Sequence, residues 1–64
     1  MYIINRPIKF DNVGKAAKVI GVDISTLSRI LHGKQKCSKM LAYCIVKYYN
    51  KNAELNNYFI RIGD

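Results

Sequence analysis

The stretch Ala16-Ala17-Lys18-Val19-Ile20-Gly21-Val22-Asp23-Ile24-Ser25-Thr26-Leu27-Ser28-Arg29-Ile30-Leu31-His32-Gly33-Lys34 decides the fold. It reads as two short helices meeting at a glycine. Asn12 is a good N-cap for the first, and Val13, Ala16, Ala17 and Ile20 share one face of a helix over 13–20. Gly21 supplies the positive-φ position that stops it. Val22 follows as a buried turn residue. Asp23 caps the second helix, in which Ile24, Leu27, Ile30 and Leu31 keep helical spacing, and His32-Gly33 ends it. This is a helix-turn-helix pattern. The small Ala17 lets the helices approach closely, Val22 plugs their corner, and Leu27 and Ile30 anchor the second helix to the core. That anchoring leaves Ile24, Ser25, Ser28 and Arg29 toward solvent.

Working outward, Pro7 removes a backbone donor and biases Arg6 toward extended geometry. Residues 1–11 therefore read as an extended or short β arm, with Tyr2, Ile4, Ile8 and Phe10 as its apolar contacts; a short, irregular first helix is the competing reading. On the other side, Lys34-Gln35-Lys36-Cys37 is a loop and Ser38 caps a third helix. Leu41, Cys44, Ile45, Tyr48 and Tyr49 form its expected inner stripe. Asn50-Lys51-Asn52 breaks that helix, and a last short one from about residue 53 brings Leu55, Phe59 and Ile62 inward. The expected fold is a single mostly α domain over 1–64: an arm over 1–11, a helix-turn-helix over about 12–33 and C-terminal helices over about 38–62. Four to five helices are expected in all.

The composition narrows what such a domain can do. The chain has 64 residues, with eleven Lys/Arg against four Asp/Glu and a net charge of +7. A domain this small buries only roughly 60% of its unfolded surface, which excludes a doubly wound sheet or a barrel. Half the residues are hydrophobic, so the composition is not that of a disordered chain. The basic excess is the footprint of a partner carrying phosphates or an anionic membrane surface. No apolar run approaches the roughly 18 residues of a spanning helix. Tyr2-Ile3-Ile4, closed by Asn5-Arg6-Pro7, is too short for a secretory segment. A cytoplasmic protein is expected.

Chemistry of the catalytic kind finds no materials. Cys37 and Cys44 lie seven apart, about 10 Å along one helix, too far for an intramolecular disulfide. Both read as reduced thiols, Cys44 in the core and Cys37 in a loop or cap. His32, the lone histidine, has no partner at metal-ligand spacing and reads as a helix C-terminal cap or a backbone contact. One histidine and four scattered acids assemble no base–nucleophile–orienter set. No enzyme, metal or cofactor is expected.

The run Ala16-Ala17, Ile20-Gly21-Val22-Asp23, Ser25 to Leu31 and Gly33-Lys34 resembles the helix-turn-helix of the phage Cro/repressor-type (XRE-like) family. The likeness is strong over about 22 residues and looser to about residue 49. It implies a sequence-specific, usually dimeric, double-stranded DNA-binding transcription regulator of phage or mobile-element origin, with a recognition helix over about 24–32 in the major groove. Base contacts are implied for Ile24, Ser25, Ser28 and Arg29, and backbone contacts for Asn12, Thr26, Lys34 and Lys36. One departure is that the arm leaves little room for a helix before the motif. Phe10-Asp11-Asn12-Val13 leading into Lys15-Ala16-Ala17 is similar instead to short DNA-binding repeats of phage homing endonucleases.

The charge pattern adds to this. Between Ile24 and Ala53 stand Arg29, Lys34, Lys36, Lys39, Lys47 and Lys51, with no acidic residue. Arg29, Lys34, Lys36 and Lys39 cluster at the recognition helix and the loop after it, whereas Lys47 and Lys51 read as a solvated face. Ser38, opening a helix with free N–H groups, is a further phosphate site alongside Lys39. Arg29 suits either a guanine or a phosphate, and Ile24 either a thymine methyl or a staple at the helix start. Tyr43, Tyr48, Tyr49 and Tyr58 with Phe59 read as core and interface rather than as a stacking platform for single strands. The apolar tail Tyr58-Phe59-Ile60-Arg61-Ile62 either seals the core or forms a homodimer interface, and a homodimer through Tyr58, Phe59 and Ile62 or through the N-terminal arm is expected. The contending readings are a helix-turn-helix scaffold acting as a protein–protein interaction module or inhibitor, and a DNA-binding accessory of a recombinase or nuclease.

Overall fold

Two of the helices start where a small polar side chain takes up a free backbone donor. The computed structural model describes residues 1–63. Asn12 Oδ1 accepts the Lys15 N–H at 3.0 Å and opens α1 (Val13–Ile20). Gly21, at φ 97°, ends it. The N–H groups of Gly21 and Val22 both donate to the Ala17 carbonyl, at 2.8 and 3.0 Å. After that turn α2 runs over Ile24–Leu31, with Asp23 at the N-cap but making no side-chain cap bond. Ser38 Oγ accepts the Leu41 N–H at 3.2 Å and opens α3 (Lys39–Tyr49). A single helical turn, α4 (Leu55–Tyr58), follows. The fold is a small, mostly α domain of four helices with an N-terminal strand.

The two chain ends close the structure as a sheet. β1 (Tyr2–Ile4) and β2 (Phe59–Arg61) pair antiparallel, Tyr2 opposite Arg61, Ile3 opposite Ile60 and Ile4 opposite Phe59. The other edge of β1 is taken by Cys37, whose backbone exchanges two hydrogen bonds with Tyr2 at 2.8 and 2.9 Å. The arm expected over residues 1–11 is thus a short strand followed by irregular chain that bends at Arg6 and Asp11. The expected helix through residue 62 stops at Tyr58 instead. β-branched and aromatic residues, Phe59-Ile60-Arg61-Ile62, favour a ladder with β1 over a helix that would need its own stripe.

Side chains alternate across this ribbon. Phe59 is fully buried, with Ile4 and Tyr2 packed against the core. On the other face the register sets Met1, Ile3, Ile60 and Ile62 together; none belongs to the core or packs on it. Ile62 therefore does not turn inward as its spacing suggested.

Leu27, Ile30, Ala42, Ile45, Val46 and Phe59 form the fully buried centre, with Ala16 and Ala17 at the α1 contact. Small alanines at 16, 17 and 42 let the three helices come close. The inner stripe of α3 is Ala42, Ile45 and Val46 with Leu41 half-buried, while Cys44, Tyr48 and Tyr49 are exposed. The expected stripe was rotated toward the tyrosines, whose hydroxyls favour the rim of a core. There Phe10 meets Tyr48 and Tyr49 at centroid distances of 5.5 and 5.8 Å, and Tyr49 meets Tyr58 edge-on at 5.5 Å. The rings cement the arm to α3 by contacting one another.

The cysteines exchange their expected places. Cys37 is buried, since its backbone pairing with Tyr2 turns the side chain into the core, and Cys44 lies on the exposed side of α3. Burial pushes the Cys37 thiol up, opposed by a smaller pull from the terminal ammonium. Titration with a disulfide reagent at mildly alkaline pH should therefore show one fast thiol, lost in Cys44→Ser. The second should be slow until the chain is denatured. Because Cys37 resists ionisation only when folded, its contribution to stability is complete below the ordinary thiol pKa. It is lost as pH rises through the raised one, and Cys37→Ala should remove that alkaline dependence.

Candidate nucleic-acid interface

The interface is built from α2 outward. Leu27 and Ile30 are fully buried, so the phase of α2 is set against the core and the opposite face is free. Ser25 and Arg29 are exposed on that side and Ser28 is half-buried. Ile24 is 55% exposed despite its place in the apolar spacing. A Cβ built on Gly14 would lie 3.5 Å from Ile24 Cδ1 and 3.4 Å from Asn12 Oδ1. The starts of α1 and α2 therefore stand side by side, with Ile24 at their junction. Both distances are ordinary van der Waals contacts, so the junction has room for a methyl group at position 14.

Arg29 does not hang free. Its Nε donates to Gln35 Oε1 at 2.9 Å. His32 Nδ1 donates to the Ser28 carbonyl at 2.7 Å, because a carbonyl only accepts, and so lies 3.4 Å from Ser28 Oγ. His32 thus caps the last turn of α2 and leaves Nε2 facing outward.

The backbone-contact candidates sit on helix starts and on the loop after α2. Asn12 is exposed, with Oδ1 occupied by capping and the amide nitrogen left to donate. Thr26 is half-buried near the start of α2. Lys34, Lys36, Ser38 and Lys39 are all exposed, and the Ser38 hydroxyl hydrogen stays available while its oxygen caps α3. Lys9 and Lys15, together with Asp11, line an open cleft of about 520 Å³ with Phe10, Asn12, Tyr48 and Tyr49. Lys47, read from sequence as solvated, is half-buried: its ammonium donates to the carbonyls of Ala53 at 2.6 Å and Lys51 at 3.4 Å and lies 5.5 Å from the Tyr43 ring centroid. Among the dimer candidates, Phe59 is wholly inside the single chain and Tyr58 is half-buried against Tyr49. Ile62 remains on the outer face of the sheet.

No protein-family profile, curated protein or solved structure matches this chain. Among the described residues, no helix is long and apolar enough to cross a membrane. Nor do any three His, Cys, Asp or Glu side chains there come together in a way that could hold a metal ion.

Gln35 is the residue that sequence reading passed over. A signal for it existed: a helix closed by glycine at C′ folds its next residues back toward the last turn. A polar side chain two positions after such a glycine is therefore a candidate neighbour of the residue four positions before it.

Proposed function

We propose that this chain is a sequence-specific double-stranded DNA-binding transcription regulator of the Cro/repressor kind, with α2 as the recognition helix in the major groove. One observation carries the reading. The outward face of α2, with Ile24, Ser25, Ser28 and Arg29, is held rigidly by Leu27 and Ile30 beside four exposed cations at Arg29, Lys34, Lys36 and Lys39. A stiff polar helix face gives base-edge contacts a defined geometry, and flanking cations neutralise phosphates without reading sequence. Asn12, Thr26, Lys34, Lys36, Ser38 and Lys39 are the backbone contacts of this reading. Control of a promoter then follows from occupancy alone, with no catalysis.

Selection of bound duplexes from a random pool tests it. Recovery of a common motif supports the proposal, and recovery of no enriched sequence at low salt removes it. A motif made of two inverted halves about one helical turn apart would further imply a dimer. The aliphatic outer face of the sheet, Met1, Ile3, Ile60 and Ile62, supports pairing with a second copy there. It is a patch without side-chain charge on a chain that otherwise repels its own kind. Ile60→Asp should then shift sedimentation toward monomer and weaken binding to the full motif more than to a half-site. A variant sedimenting like the parent would dismiss this interface.

One observation favours a second reading, the scaffold that binds another protein. Met40 is 77% exposed and Tyr43 51% exposed on α3. Substituting both with serine would abolish partner capture under that reading and leave duplex selection untouched under the first.

A further inference from the structure

We infer that Gln35 is the positioning residue for Arg29, and that the base Arg29 reads is a guanine. The inference rests on the DNA-binding reading above and deepens it. Its starting point is the end of α2, where Gly33 takes φ 74°. The Gly33 N–H donates to the Ile30 carbonyl at 3.1 Å, and the Lys34 N–H reaches back to the Arg29 carbonyl at 2.9 Å. This pair of bonds is a Schellman closure, which turns the chain sharply back along its own last turn. Gln35 is thereby returned to Arg29, and its Oε1 accepts the Arg29 Nε–H at 2.9 Å. The amide orientation follows from chemistry, since a guanidinium has donors only and the oxygen must face it.

The consequence lies in which donors are left. A guanidinium offers five N–H groups, and Gln35 occupies the one on Nε. The side-on pair, Nε with one Nη, is no longer free, so Arg29 presents its terminal edge, with parallel N–H bonds from Nη1 and Nη2. That edge fits the O6 and N7 acceptors of guanine in the major groove. Tethering also removes part of the rotamer freedom that an exposed arginine otherwise loses on binding. Such restraint serves a contact whose position must be definite, whereas a phosphate contact tolerates a swinging cation. Glutamine does this without neutralising the arginine, as a carboxylate in its place would.

Two measurements test the assignment. In the free protein, the Arg29 Nε–H should exchange with water more slowly than those of the exposed Arg6 and Arg61, and Gln35→Ala should abolish the difference. With the duplex recovered from selection, the guanine opposite Arg29 is replaced by other bases, by 7-deazaguanine and by inosine. The parent should prefer guanine about 10- to 100-fold, accept inosine, which keeps O6 and N7, and lose affinity for 7-deazaguanine. Gln35→Ala should shrink that preference roughly tenfold, within the range a good bidentate pair supplies, and leave binding to unrelated duplex unchanged. Gln35→Glu should weaken binding and also shrink the preference, because a carboxylate neutralises the guanidinium and pairs with Nε and one Nη together. The assignment is overturned by an unchanged preference in Gln35→Ala, by equal weakening on every duplex, or by fast exchange at Arg29 Nε in the parent. If the parent binds no duplex, the DNA-binding reading falls with it; binding with an undiminished preference in Gln35→Ala brings down this assignment alone.

Discussion

Phe59→Ala should leave the chain largely unfolded at room temperature. Phe59 has no solvent exposure and heads the fully buried side chains by volume. Removing such a ring costs about 3–5 kcal/mol, from lost burial and the cavity left behind. At roughly 0.05–0.15 kcal/mol per residue, a domain of this size holds a total stability of the same order. The position also has a structural multiplier. Phe59 lies in β2, opposite Ile4 of β1, so its loss loosens the ladder that joins the two ends of the described chain. β1 in turn holds Cys37 at its other edge and the loop that leads into α3. Urea titration followed by circular dichroism should show no folded baseline for Phe59→Ala. Val19→Ala, on α1 and 61% exposed, should unfold within about 1 kcal/mol of the parent, as surface substitutions do. A Phe59→Ala curve that close to the parent would mean that the sheet does not close the core.

The second large effect is electrostatic. If four to six cations displace counterions from phosphates, log K should fall against log salt with a slope of roughly −4 to −5. A fourfold rise in salt then weakens binding roughly 250- to 1,000-fold. Replacing Lys34, Lys36 and Lys39 together by glutamine should flatten the slope by about three, while preserving which sequence is preferred. Lys47→Gln supplies the contrast. Its ammonium is engaged with the Ala53 and Lys51 carbonyls, so the variant should lower thermal stability and leave the slope unaltered. A slope near zero in the parent, or equal slopes in the parent and the triple variant, would rule out a phosphate interface at this loop.

Lys47 illustrates where reading along the chain reaches its limit. As a position on α3 it is one more basic residue on a polar face; its partners are carbonyls of the turn that follows the helix, and they reach it only once Asn50 has broken α3. The same holds for Cys37 and Cys44. Local pattern puts Cys44 on a helix among hydrophobic neighbours and Cys37 in a loop, which is correct as secondary structure. Burial was decided elsewhere, by Tyr2 pairing with Cys37 across the chain. The stripe of α3 failed for a related reason. Tyrosines and aliphatics share the helix, and which arc faces inward depends on the small side chain that admits a neighbour, here Ala42.

Capping and glycine geometry, by contrast, act within four or five residues and need nothing from the rest of the molecule. That is why Asn12, Gly21, Gly33 and Ser38 could be placed from sequence, and why α1 and α2 run over the expected residues. The anchoring of α2 by Leu27 and Ile30 was legible in the same way, because helical periodicity fixes which residues oppose which. The outward face, and with it the candidate contacts at Ser25, Ser28 and Arg29, was therefore available before any tertiary structure. The sequence alone determined the helix-turn-helix, its two glycine turns and the basic run beside it. Only the tertiary structure decided that the chain ends pair as strands, that Phe59 lies in the core instead of at an interface, and that Gln35 holds Arg29. Those outcomes depend on contacts between segments brought together after the local elements form, and a short strand or a single side chain carries too little local preference to announce its partner.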